Sequence, residues 1–362
     1  MKKYLLLLLV AHLSFGQAGS PANPYYNGFN WNQTGMALKA TLSTLTINKH
    51  TNLIPYVWNA AQATDKDPLD SNNVLLIYGF SNTTCPTSIS DGNDHRKRDI
   101  NSNGGGNSCE WNREHVYAKA LGTPALDDGG VSDAGEDAHH LRSCDVDRNG
   151  NRGNLKFSAG SGDSSPVTGG WYPGDEWKGD VARMMMYMYL RYPTQCLPIN
   201  VGTGTTVSTD TNMIQLFLQW NAEDPVSLFE DNRNTYHGNI NNTFAQGNRN
   251  PFIDNPYLAT VIWGGPVAEN RWPTVFLSSQ SFLSDKSVSI YPNPTNSNEI
   301  EIVTEESISK ISLINVNGQI VKEVIKPLFN QNTYRITNLP QGFYFLQISA
   351  ENGSLTKKII VN

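Results

Sequence analysis

The chain has 362 residues, of which 38% are hydrophobic and 17% charged, with a formal net charge of −6. That apolar content supports a sizeable core, and the length favours two domains. The negative balance excludes overall electrostatic attraction as the way to hold nucleic acid, and no stretch of about eighteen uninterrupted apolar residues exists to anchor the chain by a helix.

In chain order, Lys2 and Lys3, the apolar run from Tyr4 through Leu13, and Ser14-Phe15-Gly16 have the layout of a secretory signal peptide over 1–16. The mature chain is expected to start near Gln17. Low charge and many Asn, Gly, Ser and Thr residues fit an extracytoplasmic protein. Thr34 can cap a helix carrying Met36, Leu38, Leu42 and Leu45, and Val57 to Ala63 reads as a second helical piece. After the turn-rich TDKDPLDSNN, Val74 to Tyr78 reads as a buried strand.

Four cysteines, Cys85, Cys109, Cys144 and Cys196, would meet an oxidising compartment and can form two disulfides. Cys85 with Cys109 is the preferred pair, because it would staple a polar, Gly-rich segment with little apolar surface of its own. No CxxC or HxxxH spacing points to zinc. The segment EWNREHVYA alternates as a strand. DEWKGDVARMMMYMYLRYP is the strongest helix, stopped by Pro193, and its methionines read as core packing. Further helices are expected at Asn212–Trp220, Pro225–Asn232 and Pro256–Trp263, the last with Asn255 as N-cap. Residues 266–284 read as a linker. From 285 to 362 short alternating strands at regular spacing predict a small β-sandwich.

The chemistry concentrates between Cys109 and Phe157, where Glu114, His115, Asp137, His139, His140 and Asn154 are interleaved with Arg113, Arg142, Arg148, Arg152 and Lys156. An imidazole, with an ordinary pKa of about 6.5, accepts a proton from water near neutrality. Carboxylate and amide oxygens suit a hard divalent cation, and a guanidinium matches phosphate. Taken singly, a histidine is more often structural and a basic residue more often a solvated surface charge. Residues 17–285 hold 18 Lys+Arg against 27 Asp+Glu, or −9, so phosphate contact must rest on a local basic face.

The phrases NREHVYAKALG and DAHHLR…NRGNLKF, with RNPFIDNPYLATVIWG downstream, resemble the bacterial endonuclease I family over roughly Tyr25 to Gly265. These are secreted or periplasmic nucleases of the ββα-metal, or His-Me finger, type. The resemblance implies an α+β fold, a mainly helical domain over 17–265 around a ββα-metal finger. It implies largely sequence-nonspecific cleavage of DNA, with RNA as a further substrate. His115 maps to the general base, and Glu114 and Asn154 to the ligands of a single Mg2+, with Mn2+ or Ca2+ as alternatives. Arg152 is the preferred phosphate contact, since its planar fork matches phosphate oxygens. Arg113, Asp137, His139, His140 and Arg142 are placed as support or substrate contacts, Asp137 orienting one of the histidines. Adjacent strand residues point to opposite faces, so Glu114 and His115 can share a cleft only where the strand ends or bends.

YPNPTNSN, LINVNGQIV, LPQGFYFLQI and the terminal KKIIVN resemble the C-terminal sorting domain of the type IX secretion system. This implies export across the outer membrane to the surface or medium, with the secretion machinery as partner; the enzyme itself is expected to be a monomer. The competing reading is a surface adhesin or glycan-binding protein without catalysis. A metalloprotease lacks its HExxH.

Overall fold

A computed structural model describes residues 19–52, 54, 57–79, 96–127, 134–276, 288–350 and 353–362. The signal peptide expected at 1–16, and Cys85 with its expected bond to Cys109, lie outside these residues. Cys144 and Cys196 are buried thiols with no disulfide between them, so a second bridge does not form. The chain divides into two compact units, with the boundary between Val275 and Phe276.

In the first unit the helices are α1 (Gly35–Lys49) and α2 (Trp58–Thr64), followed by the antiparallel pair β1 (Asn73–Leu75) and β2 (Lys97–Asp99). A second antiparallel pair, β3 (Trp111–His115) and β4 (Leu141–Asp145), runs directly into α3 (Val146–Arg152). The hairpin β5 (Ser165–Val167) and β6 (Gly170–Tyr172) leads to α4 (Lys178–Arg191). Then come α5 (Pro198–Val201), the pair β7 (Thr206–Val207) and β8 (Asp210–Ile214), and four helices: α6 (Gln215–Glu223), α7 (Leu228–Gly238), α8 (Pro251–Asp254) and α9 (Tyr257–Trp263).

The core is organised by α4, in which every residue from Gly179 to Leu190 is buried. A helix buried on every side has to be central, and α1 and α6 pack against it, with Leu38, Leu42, Phe217 and Trp220 buried on those helices. Three sequence expectations shift. Asn212–Trp220 is a strand end followed by a helix, because Asp210–Ile214 pairs with the short strand before it. The helix expected from Pro225 starts at Leu228, where Ser227 and Glu230 form a reciprocal capping box. Asn255 does not cap α9, since its side-chain oxygen accepts from Arg271 N at 2.9 Å and Pro256 takes the cap position. The early part of the expected linker is also packed: Trp272 is fully buried, and Arg271 grips Asp231 with two bonds of 2.8 and 2.7 Å.

The second unit has strands β9 (Val288–Tyr291), β10 (Ile300–Thr304), β11 (Ile308–Asn315), β12 (Ile320–Ile325), β13 (Thr333–Ile336), β14 (Gly342–Ala350) and β15 (Gly353–Val361). They form a three-stranded sheet, β13-β10-β9, and a four-stranded sheet, β12-β11-β14-β15, all antiparallel. Alternate residues such as Ile300, Ile302, Ile311, Leu313, Leu346 and Ile348 meet in its own core, as expected of a sandwich.

Candidate active site

The sequence builds a strand, a returning strand and a helix in succession. Asp145, the last residue of β4, turns the chain into α3 by accepting the backbone N–H of Arg148 at 2.9 Å. Asn149 Nδ2 donates to Asn112 Oδ1 at 2.7 Å and ties α3 back onto β3. The helix end is therefore held against the strand end.

At that junction Glu114 Oε1 accepts from Arg152 Nη1 at 2.9 Å and from the Tyr78 hydroxyl at 3.2 Å. Arg152 also donates to the backbone carbonyls of His115 at 3.0 Å and Val116 at 2.9 Å. Glu114 is buried, and burial pushes its carboxyl up to about 7 against the opposing pull of Arg152. Tyr78 is a residue the sequence reading missed. Its φ of +72° is unusual for a side chain of this size, and the Tyr78-Gly79 step at the end of a buried strand is the only signal the sequence offers.

His115 is the final residue of β3, so it stands where the strand stops and alternation no longer forces it away from Glu114. Its Nε2 lies 2.8 Å from the carbonyl oxygen of Gly135. A carbonyl only accepts, so Nε2 carries the proton and Nδ1 is the ring's acceptor. Gly135 is a second site residue that sequence reasoning did not find, because a backbone carbonyl leaves no signature in residue type.

Beyond α3 the chain reverses at Gly153, with φ +50°, and delivers Asn154 as an exposed side chain. Asn154 makes no hydrogen bond with the described residues, and neither does Glu114 Oε2. A carboxylate oxygen and an amide oxygen left uncommitted near one helix end fit a hard divalent cation that keeps most of its waters. Among the described residues no group of three or more His, Cys, Asp or Glu side chains forms a cage for a metal.

The remaining candidates sit deeper. His139 Nε2 donates to Asn248 O at 3.1 Å and His140 Nε2 to Ala134 O at 2.8 Å. Burial pushes both rings down to about 4, so they are neutral at pH 7. Asp137 bonds the backbone N–H of His139 at 2.9 Å rather than either ring of the HH pair, and its other oxygen takes Tyr187 at 2.8 Å and Tyr192 at 3.1 Å. Burial raises this carboxyl, but His50, His139 and His140 outweigh it and hold it below the usual range. Arg142 is fully buried between the rings of Phe229 and Trp177, with Asp65 and Asp180 at 3.7 and 3.8 Å. Arg113 lies 4.3 Å over the Trp58 ring.

Part of the basic face expected from the middle of the chain is internal. Arg98, Arg142, Arg152 and Arg183 are all sealed from solvent, Arg98 against Asp145 and Arg183 against Glu230. In each case the charge is spent on a carboxylate within the fold.

Residues 34–257 match the family described as Endonuclease I, and residues 289–362 match the secretion system C-terminal sorting domain. The chain is 39% identical over 262 residues to the extracellular ribonuclease of Bacillus subtilis (strain 168), spanning 67% of this chain and 82% of that one. It is 38% identical over 242 residues to the extracellular ribonuclease of Bacillus amyloliquefaciens, spanning 64% of this chain and 75% of the relative. A solved structure of PorZ, a surface component of the type-IX secretion system of Porphyromonas gingivalis, covers 24% of this chain and 12% of its own at 13% identity. Its TM-score of 0.18 carries no argument.

Proposed function

The chain belongs to the Endonuclease I family, and from that premise we propose that it hydrolyses RNA and DNA by attack of water, with His115 as general base. It is a nuclease, and its sorting domain addresses it for export by the type IX system. No helix among the described residues is long and apolar enough to cross a membrane. The observation that supports the mechanism is the His115–Gly135 bond of 2.8 Å, which puts the proton on Nε2 and makes Nδ1 the basic atom of the ring.

In this reading Nδ1 takes a proton from water as its oxygen attacks phosphorus, and the bond from phosphorus to the 3′ oxygen breaks. The 3′ oxygen recovers a proton from solvent, leaving a 5′-phosphate and a 3′-hydroxyl. Glu114 Oε2 and the Asn154 amide oxygen would hold a divalent cation, Mg2+ first, with Mn2+ or Ca2+ as alternatives. When bound, it supplies charge stabilisation at the phosphate and the departing oxygen. Such a strand, returning strand and helix would be the ββα-metal finger of the family.

Arg152 is reassigned. Its guanidinium is occupied by Glu114 and two carbonyls, which supports a positioning role for the carboxylate instead of the phosphate contact its sequence position suggested. Water as the nucleophile needs no 2′-hydroxyl, so DNA and RNA are both substrates, and the ribonuclease names of the relatives support RNA. The test is cleavage of matched DNA and RNA oligonucleotides with Mg2+ and with chelator, with the termini identified. Cleavage that survives the chelator, or RNA ending in a 2′,3′-cyclic phosphate, would refute it.

A further inference from the structure

The chain leaving β1 reverses in a turn closed by the Gly79 N–H, which donates to the Leu76 carbonyl at 3.0 Å, and Tyr78 is the third residue of that turn. Its φ of +72° is a conformation that turns usually give to Gly or Asn, because a larger side chain there crowds its own backbone. Three contacts hold a tyrosine in it. The Ile77 N–H donates to the Ser143 carbonyl of β4 at 2.9 Å, the Tyr78 ring packs edge-on 5.7 Å from Trp171, and the Tyr78 carbonyl accepts the Ser164 hydroxyl at 2.6 Å. A strained residue kept in place by its surroundings points to a task for its side chain.

That side chain is 2% exposed, and its hydroxyl donates to Glu114 Oε1 at 3.2 Å. Arg152 Nη1 donates to the same oxygen at 2.9 Å. Two donors on one oxygen oppose rotation of the carboxylate, and Oε2 is the oxygen left without a partner among the described residues. Both donors are held from α3. Arg152 reaches Glu114 directly, while Arg148, four residues earlier and so on the same helix face, donates to the Ser164 hydroxyl at 2.8 Å and supports Tyr78 from behind.

Resting on the nuclease reading above, we infer that Tyr78 is a positioning residue which, backed by Ser164 and Arg148, fixes Glu114 so that a single carboxylate oxygen meets the cation. One oxygen at a set angle suits Mg2+, which demands near-ideal octahedral geometry. It suits Ca2+ less, since that ion takes carboxylates through one or both oxygens in flexible geometry. The Tyr78 hydroxyl thereby sets which cation the site prefers.

The test uses the full chain without nucleic acid, titrated calorimetrically with Mg2+ and with Ca2+. Tyr78→Phe keeps the ring and loses only the hydroxyl. It should weaken Mg2+ binding about 10–100-fold, the usual loss when a ligand's hydrogen-bond partner is removed, and Ca2+ binding by a smaller factor. Ser164→Ala, which frees the Tyr78 carbonyl, should move both affinities in the same direction. Tyr26→Phe removes an equally buried hydroxyl from Asp254 at 2.7 Å and should leave both at the parent value. In cleavage assays with Mg2+, Tyr78→Phe should lower kcat and leave KM for the oligonucleotide unchanged. Parent Mg2+ affinity in Tyr78→Phe, or an equal loss for both cations, would overturn the positioning role; should that variant not fold, Ser164→Ala decides by the same two criteria. Glu114→Gln separates the two readings. Unchanged Mg2+ affinity in Glu114→Gln would overturn the ligand role of Glu114 and this inference with it, whereas a loss there with none in Tyr78→Phe would overturn this inference alone.

Discussion

Glu114 and Arg152 meet at 2.9 Å with both side chains buried, and the arginine also holds the two backbone carbonyls that follow Glu114. One side chain from the end of α3 thereby fixes the carboxylate and the chain on which His115 is carried. The pair is a structural joint at the proposed site.

Arg152→Ala should strip a buried carboxylate of its partner, a change that costs about 3–5 kcal/mol in comparable sites. Urea denaturation should register that loss together with a fall in cleavage. Arg152→Lys retains the charge without the fork and should lie between the two. A variant as stable as the parent would remove Arg152 from this role.

His115→Ala should lower cleavage by about 10²–10⁴-fold, the usual contribution of a positioned base. Folding should be nearly intact, because the ring removed is half-buried and not part of the core. Calorimetric titration with Mg2+ should give the parent affinity. An equal loss of cation binding would make His115 a ligand instead of the base.

Asn154→Ala separates ligation from stability. The side chain is exposed and bonded to none of the described residues, so unfolding should shift by no more than about 0.5 kcal/mol. Cation affinity and cleavage should both drop. Unchanged Mg2+ affinity would rule out Asn154 as a ligand.

Acid should destabilise the first unit through His139 and His140. Their folded pKa values of about 4 lie below the unfolded value of about 6.5, so between these limits the unfolded chain binds more protons. Stability is then complete above pH 6.5 and falls as pH drops towards 4, by up to about 3 kcal/mol for each ring. Melting temperature against pH measures the slope. A flat profile from pH 7 to 4 would contradict buried neutral rings.

A chain ended at Phe276 should fold and cleave at the full-length rate, because every proposed ligand and base lies in the first unit and the sandwich has its own core. In the native host the same truncation should block export. Loss of activity in vitro would make the sandwich part of the enzyme.

Much of this was legible in residue order. The apolar run of α4 had to be central whatever surrounded it, and alternating strands after residue 285 had to form a two-sided sheet. Glu114 and His115 were expected as ligand and base from the resemblance carried by NREHVYAKALG, and His115 does stand at the end of β3. Boundaries that depend on competition between neighbours were less readable, as at Asn255, whose oxygen Arg271 captures from sixteen residues away.

By itself, then, the sequence determined two units, the central helix and the residue types available for chemistry, since these follow from local periodicity and composition. Only the tertiary structure decided which charges face water. Arg142, Arg152 and Arg183 look in sequence like a phosphate-binding surface, but each is drawn inward by a carboxylate distant in the chain: Asp65 and Asp180, Glu114, and Glu230. A buried charge is tolerated only beside its opposite, and that proximity is created by folding, not by spacing along the chain.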